Sequence, residues 1–260
     1  MVTLNGKPVT AADLLPLAFI NLGHFTSMRV DADGGIRGLS LHLERLVRDC
    51  RIVWGAELDR GRVRDYVRQG VEGRDGPCTV RVTVYDPQVD LMRPVDAGQP
   101  HILVSVRGAG AFPVDPLRVM SVPYERDLPQ VKHVGLFGSL HARRVAQSAG
   151  FDDALFVGRD GCVSEGSTWN VGFVDAAGTV LWPRAPVLPG VTMALLQQHA
   201  EHRIVDITPS VAKDSVAAFA TNTSIGVRPL AAIDARELRT EHPVLRLLGE
   251  SYLAVPGEKP

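Results

Sequence analysis

Lysine is nearly missing from this chain of 260 residues: four lysines stand against 24 arginines. The simplest cause is a biased codon usage, and its consequence is that each remaining lysine can be weighed singly. Cysteine is scarce as well. Cys50, Cys78 and Cys162 are isolated and odd in number, which argues against a disulfide framework and fits no paired metal spacing. They read as reduced thiols. There is no block of like charge and no basic stripe, and the formal net charge is −1, so neither a charged disordered tail nor a nucleic-acid surface is indicated. Long apolar runs are missing too. The run 14–20 contains Pro16 and is far too short to cross a bilayer. It has neither a basic leader nor a small-residue cleavage site, so a cytoplasmic location is expected.

What is present is ample material for a core. The chain is 45% hydrophobic and long enough for one large domain or two lobes of ordinary size. Residues 2–4, Asn5-Gly6 and 7–9 predict a hairpin, because Asn-Gly suits the turn whose twist matches paired strands. Residues 24–30 read as a strand followed by the turn Asp33-Gly34-Gly35, 39–53 and 60–69 as helices, and 79–85 and 101–106 as strands. The glycines and proline of 107–113 mark a connection. Beyond it, 117–122 reads as a strand. Ala142, Val145, Ala146 and Ala149 trace one face of a helix that stops at Gly150. Segments 154–157 and 162–164 form a strand pair around Arg159-Asp160-Gly161, and 171–174 and 180–182 are further strands. A proline-rich loop, 183–190, leads into a helix from Thr192, and 242–253 is a last helix with Pro243 placed to start it. The expectation is an α/β (α+β) chain in two lobes, a small one at 1–107 and a larger one at 117–260, joined by a linker at 108–116.

Of the four lysines, Lys7 follows a turn, Lys259 is close to the last residue, and Lys213 lies in a polar helix-like stretch. Lys132 differs: in Gln-Val-Lys-His-Val-Gly-Leu-Phe its neighbours are apolar, a setting that disfavours the charged form and makes the amine a nucleophile. An aldehyde cofactor such as pyridoxal phosphate needs such an amine, an acidic partner for its ring nitrogen and donors for a phosphate dianion. Glu165 can be the acid. Arg45, on a helical face shared with His42, offers a fork of N–H donors. Gly190, Val191 and Thr192 stand where a loop becomes a helix, so their main-chain N–H groups can bind an anion, and Thr223 and Ser224 can add hydroxyls. Each residue has a plainer reading as well: Arg45 a surface helix arginine, Glu165 a turn carboxylate, Gly190 a helix start, Thr223 and Ser224 turn hydroxyls, Lys132 a snorkelling side chain.

In order and wording these residues resemble the class IV aminotransferase superfamily, the fold-type IV pyridoxal-phosphate enzymes, a group that includes branched-chain and D-amino-acid aminotransferases and aminodeoxychorismate lyase. The most specific stretch runs from Lys132-His-Val through Ala149-Gly-Phe-Asp-Asp-Ala-Leu-Phe-Val to Asp160-Gly-Cys-Val-Ser-Glu165-Gly-Ser-Thr-Trp-Asn170. The helix motif His42-x-x-Arg45-Leu and the turn Leu188-Pro-Gly-Val-Thr192 flank it. The resemblance implies that Lys132 is the Schiff-base lysine and proton shuttle and that Glu165 pairs with the pyridinium nitrogen. It implies as well that Arg45, Val191, Thr192 and Thr223 hold the phosphate. It implies the cofactor pyridoxal 5'-phosphate between two lobes, a homodimer, and transfer of an amino group from an amino acid or amine to a 2-oxo acid.

Two departures bear on the reaction. Aminotransferases of this group usually carry a tyrosine five residues after the lysine, where this chain has Phe137. The opening Val-Thr-Leu-Asn-Gly-Lys, the segment Gly23-His-Phe-Thr26 and the pair Lys132-His133 look like the lyase, in which a threonine matching Thr26 assists elimination of pyruvate. The lyase's glycine- and arginine-rich stretch is absent, replaced by Tyr85-Asp-Pro-Gln-Val-Asp-Leu-Met-Arg93-Pro. Transamination is therefore the first expectation and release of pyruvate and 4-aminobenzoate the alternative. A ligand-binding homologue without turnover is a remote third, because a mere binder has no use for both Lys132 and Glu165. Candidate substrate residues are Phe25, Arg93, Trp169 and Arg228, with Arg29 and Asn222 behind them. His199-x-x-His202, read as one helical face, has no third metal ligand, and no Gly-x-Ser-x-Gly or dinucleotide fingerprint is found.

Overall fold

Asn5 and Gly6 both take left-handed backbone angles, φ 49° and 77°, and Val2–Leu4 pairs antiparallel with Lys7–Pro8, as the dipeptide predicts. The computed structural model describes residues 1–112 and 114–260; Pro113, assigned to the linker, lies outside the described residues. The chain is a mixture of helices and strands, and it divides into two compact units. One comprises Met1–Gly110, Val131–Gly135 and Pro256–Pro260; the other comprises Ala111–Gln130 and Leu136–Val255. The division into 1–107, 108–116 and 117–260 thus differs at two excursions, which return to the first unit. The excursion Val131–Gly135 carries Lys132, and hydrogen bonds to Gly23 and Phe25 draw it there.

The first unit is built on a seven-stranded sheet in the order Gly257–Glu258, Ile36–Arg37, His24–Val30, Cys78–Tyr85, His101–Gly108, Val2–Leu4, Lys7–Pro8, each neighbour antiparallel. His24–Val30 pairs with Cys78–Tyr85 over its whole length, from His24 opposite Val84 to Val30 opposite Cys78. Helix Leu39–Trp54 contributes Leu39, Leu43, Leu46 and Cys50 to the core, and helix Arg60–Val71 contributes Val63 and Val67. They share it with Val80, Val82, Val84 and Val104 from the strands. The first of these helices ends at Gly55, whose φ of 62° costs a glycine little. The apolar run around Pro16, assigned no element from sequence, is a helix, Ala11–Phe19, started by a reciprocal capping box between Thr10 and Asp13.

The second unit has a nine-stranded sheet whose main path runs His202–Val205, Val180–Pro183, Asn170–Val174, Ala217–Asn222, Gly226–Ile233, Leu117–Pro123, Asp153–Val157, Val163–Gly166. A further pairing of Glu165 with Asn170 joins the end of that path back to its third strand, so six of these strands close a ring. The short Arg236–Glu237 strand pairs with Gly226–Ile233. Helices Phe137–Ser148, Val191–His199, Pro209–Asp214 and Pro243–Ala254 complete the unit. Val119, Leu155, Val171, Phe173, Ala218, Ala220 and Leu230 lie in its core. Because helix Val191–His199 ends at His199 and His202 opens a strand, the two histidines do not share a helical face.

Candidate active site

In the first unit, the chemistry gathers around the N-terminal half of strand His24–Val30. Thr26 is fully buried, and helix Leu39–Trp54 aims His42 and Arg45 at its hydroxyl. Arg45 donates to Thr26 Oγ1, and its second contact, 3.2 Å, is to His42 Nδ1. Since Arg45 can only donate, the Thr26 oxygen accepts from it, and the same hydroxyl is hydrogen-bonded with His42 Nδ1 at 2.7 Å. Burial, reinforced by the positive charges of Arg45 and Lys132, holds the His42 pKa well below its ordinary value. Burial also draws the Arg45 guanidinium down to about 10, opposed by the Asp49 carboxylate and assisted by Arg48.

Lys132 is held from two directions by its own main chain. Its N–H donates to Asp49 Oδ2 at 3.0 Å, and its carbonyl accepts from Phe25 N–H at 2.8 Å. Its Nζ stands 4.9 Å from the centre of the Phe25 ring, over which the Arg81 guanidinium also lies at 3.6 Å. Arg81 was not singled out from sequence. It projects from the middle of strand Cys78–Tyr85, and burial lowers its pKa. It is thus a partly desolvated cation sharing one aromatic ring with Lys132.

In the second unit, Glu165 lies at the ring closure with its carboxylate buried. Arg126 Nη1 donates to Oε1 at 3.2 Å, and Leu188 N–H donates to Oε2 at 3.2 Å. Asn170 Nδ2 holds Leu188 O at 2.8 Å and approaches Glu165 Oε2 at 3.5 Å. These donors favour the ionised carboxylate. The same network reaches Gly190, where an added Cβ would lie 2.0 Å from Asn170 Oδ1. Gly190 is the N-cap of helix Val191–His199, so the N–H groups of Val191 and Thr192 belong to its first turn, where orphan donors and the helix dipole favour an anion. Thr223 and Ser224 form the turn between Ala217–Asn222 and Gly226–Ile233. Asn222 shapes that turn, accepting from Ser224 N–H at 2.8 Å while donating to Thr168 O at 3.0 Å.

The candidate substrate residues have other commitments. Arg93 is exposed and paired with Asp96 at 2.6 Å. Trp169 is buried, donating Nε1 to Asp153 Oδ2 at 2.9 Å, and its indole occupies the space a Cβ on Gly166 would need. Arg228 donates to Asp115 O, and burial lowers its pKa. Arg29 donates to Gly110 O at 2.6 Å and pairs with Asp31 at 3.1 Å. Phe137 opens helix Phe137–Ser148 with its ring exposed and stacked on His141, centroids 5.9 Å apart.

The donor set suits pyridoxal phosphate. In the first unit, buried Arg45 Nε has no hydrogen-bond partner, a donor of the kind a phosphate satisfies; in the second, buried Thr192 Oγ1 has none either, and the buried Glu165 carboxylate suits a protonated pyridine nitrogen.

Residues 23–233 match the family described as amino-transferase class IV. The chain belongs to that family, and it is accordingly an enzyme of the aminotransferase class, whose members use pyridoxal 5'-phosphate. Among solved structures it is similar to the branched-chain aminotransferase of Thermoproteus uzoniensis, crystallised with norvaline, at 23% identity and a TM-score of 0.84 over 97% of this chain and 93% of that one. It is similar to the branched-chain amino acid aminotransferase of Thermobaculum terrenum in its PLP-bound holo form, at 19% identity and 0.83 over 98% and 92%. A hypothetical aminotransferase from Mycobacterium tuberculosis gives 20% and 0.82 over 98% of both chains. At these identities the likeness establishes the fold, the fold type IV architecture expected from the sequence. A comparison with curated protein sequences finds no match.

Proposed function

We infer that this chain is a cytoplasmic, homodimeric transaminase that moves an amino group from an amino acid or amine to a 2-oxo acid, with Lys132 as its reactive amine. The observation that carries the reading is the buried Glu165 carboxylate, held at both oxygens by Arg126 and the Leu188 N–H, in a chain that belongs to the class IV amino-transferase family. Bound pyridoxal phosphate supplies an electron sink that stabilises negative charge at the substrate Cα. The protein supplies the rest. Lys132 would provide the amine that holds the cofactor's aldehyde, and the same amine would carry the proton to and from Cα. Glu165 keeps a proton on the ring nitrogen by its charge. Arg45, with the N–H groups of Val191 and Thr192 and the hydroxyls of Thr192, Thr223 and Ser224, binds the phosphate. Arg81 is the arginine best disposed to receive a substrate carboxylate, because it shares the Phe25 ring with Lys132 and, among the described residues, its Nε donates only to the Thr83 hydroxyl at 3.3 Å. Arg93 and Arg29, by contrast, are paired with carboxylates and Arg228 with a main-chain carbonyl.

One observation weighs on the choice between transamination and elimination of pyruvate. The elimination reading gives Thr26 a proton to carry, yet the Thr26 hydroxyl is fully buried, hydrogen-bonded with His42 and accepting from Arg45. That commitment favours transamination. Lys132→Ala is expected to abolish turnover with every donor while leaving a folded protein; a folded variant with wild-type turnover contradicts the mechanism.

A further inference from the structure

The segment that carries Lys132 is a very short addition to the edge of a strand. Val134 N–H donates to Gly23 O at 2.9 Å and Phe25 N–H to Lys132 O at 2.8 Å, around the bridge between His24 and His133. This is the part of the edge that Ile36–Arg37 does not reach, since that strand meets His24–Val30 only at Val30. In a continuing antiparallel ladder, opposed residues exchange both main-chain bonds. Here the Lys132 N–H goes to a side chain instead, Asp49 Oδ2 at 3.0 Å.

Asp49 is fully buried. Its Oδ1 takes two donors from the neighbouring Arg48, Nε at 3.0 Å and Nη2 at 2.7 Å, which leaves Oδ2 for Lys132. A buried carboxylate is a costly way to fill space, because an apolar side chain there carries no desolvation penalty. Its position on helix Leu39–Trp54 gives the cost a purpose. Asp49 lies four residues after Arg45 and therefore on the same face, roughly one helical pitch of about 5.4 Å further along.

We propose that Asp49 is a positioning residue for Lys132: its carboxylate, steadied by Arg48, takes the Lys132 main-chain N–H and ties the reactive amine to the helix turn that carries Arg45. One rigid turn of helix then sets the spacing between the amine and the arginine that receives the phosphate. This rests on the roles assigned above to Lys132 and Arg45, but the contact can be read without them.

The test has two arms. Amide hydrogen exchange at Lys132, in protein without added cofactor, reads the contact itself. The affinity and rate of pyridoxal phosphate attachment read its consequence. In folded Asp49→Ala the Lys132 amide exchanges about tenfold faster or more relative to amides of Cys78–Tyr85, and cofactor binds about tenfold more weakly. Asp49→Asn, which keeps the shape and an oxygen acceptor, restores protection and affinity close to wild type. Asp49→Leu, which fills the space without an acceptor, does not, a difference that a general packing role does not produce. Wild-type protection and affinity in folded Asp49→Ala overturn the proposal, as does a folded Asp49→Asn that has lost both. If Asp49→Ala does not fold, Asp49→Asn alone decides on the same criteria. Cofactor attaching to wild-type protein elsewhere than at Lys132 overturns the assigned reaction, and the exchange arm still decides the role of Asp49.

Discussion

The residues that define the candidate site are polar groups placed where water is scarce, and each leaves a mark on stability. His24 is fully buried with neither ring nitrogen hydrogen-bonded, and burial, aided by Arg48, holds its pKa down to about 3. His42 is depressed in the same direction by burial and by the nearby cations. Below the ordinary histidine value of about 6.5, the unfolded chain takes up protons that the folded chain refuses, so stability falls by about 1.4 kcal/mol per pH unit for His24, and His42 acts in the same direction. The melting temperature is therefore expected to fall steadily from pH about 6.5 towards pH 4. His24→Leu, which removes no hydrogen bond, is expected to flatten that slope, and an unchanged slope refutes the assignment. At Glu165 the mark is an ion pair. Its side chain and that of Arg126 are 6% and 8% exposed, so Glu165→Ala strands a buried guanidinium and is expected to cost about 3–5 kcal/mol in denaturant unfolding. Glu165→Gln keeps the shape and an acceptor. It is expected to cost less in stability yet to slow turnover by about a hundredfold, because the charge that keeps the ring nitrogen protonated is lost.

Two helix starts show how elements are aimed by groups far away in the chain. Helix Leu39–Trp54 begins at Gly38, which has no side chain to cap it. Glu258 does so instead, accepting from Ser40 N–H at 3.1 Å and from the Ser40 hydroxyl. Glu258→Ala is expected to lower stability by about 1 kcal/mol, with hydrogen exchange accelerating in the first turn of that helix rather than at its end. Helix Val191–His199 begins at Gly190, where the constraint is space: its φ of −70° is ordinary, but a Cβ would displace the Asn170 amide that holds Leu188. Gly190→Ala is therefore expected to weaken pyridoxal phosphate binding, measured by titration of the cofactor's absorption, more than it lowers the melting temperature. Equal affinity in the variant contradicts the place given to this turn.

Across the whole molecule, local signals in the sequence reached the elements whose signals are local. Asn5-Gly6, Pro243 and the spacing of Ala142, Val145, Ala146 and Ala149 each act within a few residues, and the hairpin and helices they mark are present. Ala217–Asn222 carried no alternation because nearly all of it is buried, and Gly226–Ile233 contains Pro229, so neither looked like a strand. The excursion of Val131–Gly135 into the first unit is set by hydrogen bonds to residues about a hundred positions earlier, which no window along the chain can show. The candidate site divides in the same way. Lys132 stood out because lysine is rare, and Glu165 through the motif around it. Arg81, Asp49 and Arg126 read as ordinary strand, helix and loop charges until tertiary packing set them beside Phe25, Lys132 and Glu165. The central claim remains the one about Lys132. It is tested most directly by the near-ultraviolet and visible absorption of the purified protein loaded with pyridoxal phosphate, before and after addition of L- and D-amino acids. The account predicts a band that depends on Lys132 and converts to the pyridoxamine form with at least one donor. A wild-type protein that binds no cofactor, or a Lys132→Ala variant that binds and converts it like wild type, contradicts it.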